Sequence, residues 1–188
     1  MVAVIVVVVI VVVLVIVLIL LYNNLIKLRN MVDNAWAQID VMLQRRNDLI
    51  PNLINTVQSY MTYEHDTLES LTAARTSMIN AKTPEEASKA DGEITSALRT
   101  VFAVAENYPD LKASQNFSEL QAELANTEDK ISYMRQSYND TVMKFNTAIQ
   151  TFPGFLFAKP MGFTPRQSFN ATPGAEQVPE VSFDNPNK

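Results

Sequence analysis

Residues 1–21 read MVAVIVVVVIVVVLVIVLILL, an apolar run with no polar face to turn toward water. A helix that is hydrophobic all round must be buried in protein or in lipid. At about 1.5 Å of rise per residue, Val2–Leu21 spans about 30 Å, the thickness of a bilayer's hydrocarbon core. Nineteen of those twenty residues are Val, Ile or Leu. On the insertion scale they sum to something on the order of −6 to −11 kcal/mol, so the run inserts. A cleaved signal peptide is the competing reading. It needs a charged leader, a shorter apolar stretch and a small-residue cleavage site. Here the run starts at Met1, and Leu18-Ile19-Leu20-Leu21-Tyr22 offers no small pair. An uncleaved anchor is therefore expected, with Tyr22 at the interface where aromatic rings prefer to sit.

Lys27 and Arg29 follow the run within the window in which positive charge orients a span. They place the N-terminus outside and residues 22–188 in the cytoplasm. Trp36 is too far along for an interfacial role. Fifteen residues of helix carry it roughly 22 Å past the membrane edge, so it reads as a packing residue.

Removing the anchor leaves 167 residues, about 40% of them hydrophobic, enough for one domain with a sizeable core. Several chemistries lack the residues they need. There is no cysteine, so no disulfide framework, thiolate nucleophile or Cys-type metal site exists. One histidine, His65, excludes a two-histidine zinc helix. Four glycines leave no material for a phosphate-cradling loop. A pI near 4.9, with no basic run longer than Arg45-Arg46, argues against nucleic acid.

Punctuation divides the remainder. Only Pro51, Pro84, Pro109 and Gly92 fall between residues 22 and 152, whereas six prolines and three glycines crowd into 153–188. A long helical region thus ends near Phe152-Pro153-Gly154 and an extended tail follows. The expected units are 1–21 (anchor), 22–152 (bundle) and 153–188 (tail). Within 22–152, apolar residues alternate at spacings of three and four. One series is Leu25, Leu28, Val32, Ala35, Ile39, Met42, resuming after Arg46 at Leu49, Leu53, Val57 and Tyr60. Another is Phe117, Leu120, Leu124, Ile131, Met134, Tyr138, Val142, Phe145, Ile149 and Phe152, with Thr127 in the gap. Both are coiled-coil-like seams, and no strand pattern competes. A shorter series from Ala87 to Tyr108 is rich in small residues and suits close helix approach. Thr83-Pro84-Glu85-Glu86 has the form of a capping box with proline at the first helical position.

Pro51 interrupts the first seam. It removes one helical hydrogen bond and crowds the preceding turn, so it either kinks the helix or breaks it with Asp48 as a new cap. With no loop residues at hand, a kink is the simpler outcome. Arg45 and Arg46 lie roughly 36 Å past the span, beyond headgroup reach, and should pair with Asp48 or with an acid on a facing helix. Residues 61–111 hold nine acids against four bases, so the whole net charge of −5 belongs to that stretch. A solvated face explains it, and a docking face for a basic partner is the sharper alternative. His65 with Glu69 makes half a metal site, since a catalytic metal usually takes three protein ligands. A solvated or interface histidine is the simpler account. No catalytic, cofactor-binding or metal residue is assigned, and no cofactor is expected.

Asn34-Ala35-Trp36-Ala37-Gln38-Ile39-Asp40-Val41, followed by Arg45-Arg46-Asn47-Asp48-Leu49-Ile50-Pro51-Asn52-Leu53, resembles the hallmark of the LemA family. Tyr22-Asn23-Asn24-Leu25 matches it too, as do Glu64-His65, Ala73-Ala74-Arg75, Tyr138-Asn139, Phe145-Asn146 and Phe152-Pro153. The resemblance runs from about residue 15 to 183. It implies a bacterial membrane protein with one N-terminal span, a bundle of long helices and no attached enzymatic activity. Within the family a relative is associated with magnetosome membranes, and members often lie beside a membrane metalloprotease gene. In such a protein the sequons at Asn116, Asn139 and Asn170 are chance matches.

The sequence therefore predicts an all-α protein. One transmembrane helix continues into an up-and-down bundle of long helices, three of them, or four if Pro51 breaks the first. A Pro- and Phe-rich extended tail follows. A first helix over residues 22–80 would be roughly 88 Å long, and helices over 84–107 and 114–152 would be too short to cover it. The uncovered seam would seek identical neighbours. The expected function is a self-assembling scaffold at the bacterial membrane, a homo-oligomer larger than a tetramer, with Leu28 and Ile39 at subunit contacts. The expected partners are the protein itself and the lipid bilayer. An adaptor presenting substrates to a membrane protease or signalling partner through the 61–111 face is the alternative. Phe155, Phe157, Phe163, Phe169 and Phe183 predict a tail that is extended yet docked, because solvated linkers rarely carry so many aromatics.

Overall fold

The computed structural model describes residues 1–61 and 64–169. The end of the tail, with Phe183, lies outside the described residues. Six helices and no strand occur among those described: α1 (Val2–Gln58), α2 (His65–Asn80), α3 (Pro84–Ala105), α4 (Pro109–Lys112), α5 (Gln115–Gln150) and α6 (Gly154–Phe157).

The apolar run and the first bundle helix are one element. α1 is 57 residues long and continuous through Pro51. Residues 2–17 are all exposed, and the buried stripe begins at Leu25 and recurs at Val32, Ile39, Leu43, Ile50, Leu53 and Val57. Proline supplies no N–H for the Asn47 carbonyl, yet the helix holds, because Ile50 and Leu53 on either side are fully buried. Pro51 therefore does not break the helix.

The expected 22–80 helix is corrected. α1 ends at Gln58 and α2 begins at His65, so the reversal falls where neither Gly nor Pro signals it. Tertiary packing makes the turn: the Tyr60 and Met61 amides both bond back to the Val57 carbonyl, and Met61 is buried beneath. α2 then descends beside α3 and supplies the fourth long helix. The capping box at α3 forms in both directions, Glu86 N–H to Thr83 Oγ1 at 3.1 Å and Thr83 N–H to Glu86 Oε2 at 3.2 Å.

α1 packs chiefly against α5, and α2 against α3. The part of α1 that follows the apolar run, residues 22–58, is about 55 Å long, and α5 with 36 residues is about 54 Å. The two run antiparallel, with the Trp36 and Tyr138 rings packed in a tilted pair, centroids 5.8 Å apart, and Arg46 reaching Glu128. α5 thus covers the first seam from end to end. The expectation of an uncovered stripe fails here, and with it the assignment of Ile39 to a subunit contact. Ile39 is 0% exposed and Leu28 is half-buried against the same cluster. Both are internal.

After α5 the chain turns back instead of running straight into a tail. Gly154 sits so close to the end of α5 that a β-carbon there would lie 1.9 Å from the Ala148 carbonyl oxygen, which only glycine escapes.

Candidate functional site

Two polar constructions stand out from the apolar packing. The first is a buried ion lattice. α1 carries Arg46 inward at 1% exposure, on the same stripe as Leu43 and Ile50. A guanidinium taken out of water needs compensation. Arg46 Nη1 donates to Asp91 Oδ1 at 2.8 Å and to Thr95 Oγ1 at 3.1 Å, both on α3, and Nη2 lies 3.4 Å from Glu128 Oε2 on α5. The second oxygen of Asp91 accepts from Arg135 Nη2 of α5 at 3.0 Å. One buried carboxylate therefore joins two guanidinium groups and ties three helices together.

The expected partner on a facing helix is thus present for Arg46, and Arg45 pairs with Glu123 of α5. Asp91, one of the nine acids of residues 61–111, does not belong to a solvated acidic face, and that expectation is corrected for it: it is 2% exposed. Its spacing was the available signal. Ala87, Ala90, Asp91, Ile94 and Leu98 share one helical stripe, so an acid at 91 had to face the core.

The second construction is a strap. Residues 163–169 run extended back along α1 and α5 and bury Phe163 and Phe169. Asn146 and Asn139 hold the strap's backbone as a neighbouring strand would. Asn146 Nδ2 donates to the Arg166 carbonyl and Oδ1 accepts the Arg166 N–H, both at 2.8 Å. Asn139 treats Phe169 the same way, at 3.0 and 2.8 Å. Seven helical residues rise about 10.5 Å and three extended residues about 10 Å, so the spacing of Asn139 and Asn146 matches that of Phe169 and Arg166. Tyr138 Oη donates to the Gln167 carbonyl at 2.8 Å, and Arg166 pairs with Asp33 on α1 at 3.1 Å. Arg135 links the two constructions, its guanidinium lying 4.9 Å from the Phe169 ring centroid. The docking expected for Phe163 and Phe169 is what the structure shows. Phe157 is half-buried and Phe155 exposed. In the sequence the asparagine clamps show only as the repeated pairs Tyr138-Asn139 and Phe145-Asn146, seven residues apart beside the buried seam.

Burial raises the Tyr138 phenol above its ordinary value; the Arg166 guanidinium opposes the rise and the Asp33 carboxylate adds to it. A raised phenol keeps its full contribution to folding below the unfolded value of 10.0 and loses it as pH climbs through the folded value. Strap release should therefore begin above pH 10.0, seen as a change in Trp36 emission, because Trp36 packs on Tyr138 and Phe169. In Tyr138→Phe that alkaline step should vanish; its persistence would assign it to another group.

His65 opens α2 in an exposed position, near Glu69, on the rim of a shallow cleft with Ile54, Met61 and Leu68. Among the described residues, no group of three or more His, Cys, Asp or Glu side chains is placed to share a metal ion. α1 is the one described helix long and apolar enough to cross a membrane.

Comparison with known proteins fits this architecture. The LemA family pattern matches residues 35–183. Protein LemA of Metamycoplasma hominis is 30% identical over 69% of this chain and 60% of its own length. Magnetosome protein MamQ 2 of Paramagnetospirillum magneticum is 23% identical, and magnetosome protein MamQ of Magnetospirillum gryphiswaldense 22%, each over 82% of this chain and 66% of its own length. The chain thus spans about three fifths to two thirds of these relatives. The apolar helix and these relatives together fit a membrane-associated protein. Every residue of the ion lattice and of the strap's clamps lies within the matched stretch, and the chain belongs to the LemA family.

Proposed function

We propose that the protein is a structural, non-catalytic membrane component that stands on its N-terminal span and assembles side by side with copies of itself. The observation that carries this reading is the continuity of α1 from Val2 to Gln58. No hinge separates the apolar segment from the bundle, and the Arg46–Asp91–Arg135 lattice ties α3 and α5 to the same rod. A bundle held this way keeps one attitude to the bilayer. Copies in one membrane then present the same faces at the same height, the condition under which repeated contacts close a ring or extend an array.

With the first seam covered, the lateral contact falls on the flanks. Met31 and Val41 on α1, and Tyr133 and Met143 on α5, are exposed apolar side chains. In the antiparallel register Met31 stands level with Met143, and Val41 with Tyr133. The chain has no cysteine, so single-cysteine variants report cleanly. Val41→Cys and Tyr133→Cys chains, mixed and oxidised in vesicles, should give disulfide-linked dimers, and the native particle in nanodiscs should exceed a tetramer. A monomer in detergent and nanodiscs alike would refute self-assembly.

The adaptor reading draws on the far end of the bundle. Asp66, Glu69, Glu106 and Asp110 are exposed around the turns farthest from the apolar run. That reading requires a basic partner at small stoichiometry, such as a membrane protease, lost when these acids are reversed to Lys.

A further inference from the structure

The seam of α5 continues in sequence from Ile149 to Phe152, yet Phe152 is 77% exposed. Phe155 and Leu156 on α6 are about half exposed nearby. Three large apolar side chains thus gather at one end of the bundle without protein cover. The α1–α5 register identifies that end. Extending it from the Trp36–Tyr138 and Arg46–Glu128 contacts sets Ile149 level with Leu25, both buried. Phe152 then stands level with Tyr22. Because Gly154 is folded against Ala148, α6 stays within about a turn of that height. Exposure along α1 marks the same level independently. Residues 2–17 are all exposed, whereas Leu18 and Leu21 are half-buried, so protein begins to cover the helix before the apolar run has ended.

Charge marks this end as well. Residues 22–32 and 141–169 carry Lys27, Arg29, Lys144, Lys159 and Arg166 and not one Asp or Glu, in a chain whose net charge is −5. Arg166 is paired with Asp33 and Arg29 lies over the Phe163 ring, while Lys27, Lys144 and Lys159 are exposed. An apolar cluster beneath a basic collar is the arrangement that favours an anionic bilayer surface.

We propose that Phe152, Phe155 and Leu156 insert into the outer acyl zone of the bilayer that holds α1, with Lys27, Lys144 and Lys159 above them among anionic headgroups. The bundle is then moored at two points, the span and this wedge, and cannot swivel freely about the span. The proposal rests on α1 being the membrane span, and its test separates the two. The full chain is reconstituted in phosphatidylcholine–phosphatidylglycerol vesicles with brominated acyl chains, which quench nearby tryptophan.

Phe155→Trp places the probe in the wedge, Val9→Trp in the span and Tyr133→Trp on the exposed face of α5. Native Trp36 serves as a reference roughly 22 Å beyond the run. Phe155→Trp should lose emission to a degree comparable with Val9→Trp, most strongly from bromines near the acyl carbonyls. Tyr133→Trp and Trp36 should be unaffected. Without phosphatidylglycerol, quenching should weaken for Phe155→Trp alone. Quenching of Val9→Trp with none for Phe155→Trp overturns the wedge and leaves the span standing. Absence of quenching in both overturns the span as well. Blue-shifted but unquenched Phe155→Trp emission means that a second copy of the chain covers the patch, and the proposal fails.

Discussion

Asp91→Ala should cost the bundle about 3–5 kcal/mol, the penalty for leaving a buried charge without its partner. Arg46 has 1% of its surface in contact with solvent and cannot reach water to compensate. Its other anion, Glu128, is 3.4 Å away and half exposed, too weak a substitute. Arg135 also loses its partner but stays stacked over Phe169, so most of the loss falls at Arg46. Chemical denaturation in nanodiscs, followed by Trp36 emission and by circular dichroism, measures the effect. The single tryptophan sits where α1, α5 and the strap meet, so its signal tracks the bundle and not the span.

A replacement that removes both charges discriminates between two accounts of the lattice. Arg46→Met with Asp91→Leu should recover much of the lost stability, because filling a buried ion pair with apolar groups is often neutral or better. A loss below about 1 kcal/mol in Asp91→Ala would place the pair among weakly contributing surface bridges.

Periodicity carried the long elements into view because burial on a helix repeats at its own pitch. Leu25, Val32, Ile39, Leu53 and Val57 on α1, and Phe117 through Ile149 on α5, lie on the stripes their spacing predicts. The Thr83–Glu86 box is similarly local, two side chains and two amides within four residues. What periodicity could not show is where a helix stops for tertiary reasons. The turn after Gln58 has no glycine or proline, and the feature that marks it among the described residues is the burial of Met61. Pro51, the visible breaker, sits inside an unbroken helix because its neighbours pack into the core.

The same limit hid the polar constructions. An arginine at 46 could be expected to seek an acid, but which acid depends on how α3 docks. The stripe containing Asp91 indicated burial, whereas local composition argued for a solvated acidic face. The strap's phenylalanines betrayed their docking by hydrophobicity alone, and the amides that hold its backbone had no composition to betray them. Phe152 erred in the other direction. It keeps the period of α5, but the helix ends at Gln150, so no facing helix remains to cover it.

Ile39→Asp should unfold the bundle within the monomer rather than merely separate subunits. Ile39 is 0% exposed and lies in the cluster shared by Leu43, Tyr138 and Val142. A carboxylate there gains no hydrogen-bond partner and displaces a well-packed side chain, a penalty of several kcal/mol. Against a total stability of roughly 5–15 kcal/mol, that should abolish the native Trp36 signal. Val41→Asp, two residues on, is the informative companion. Val41 is 57% exposed, so the bundle should remain folded with native Trp36 emission. If the flank bearing Val41 and Tyr133 joins subunits, the particle should fall apart, since a carboxylate is costly only where contact desolvates it. Loss of Trp36 signal in Val41→Asp would make that flank part of the fold, and an intact particle with a folded bundle would move the subunit contact off it.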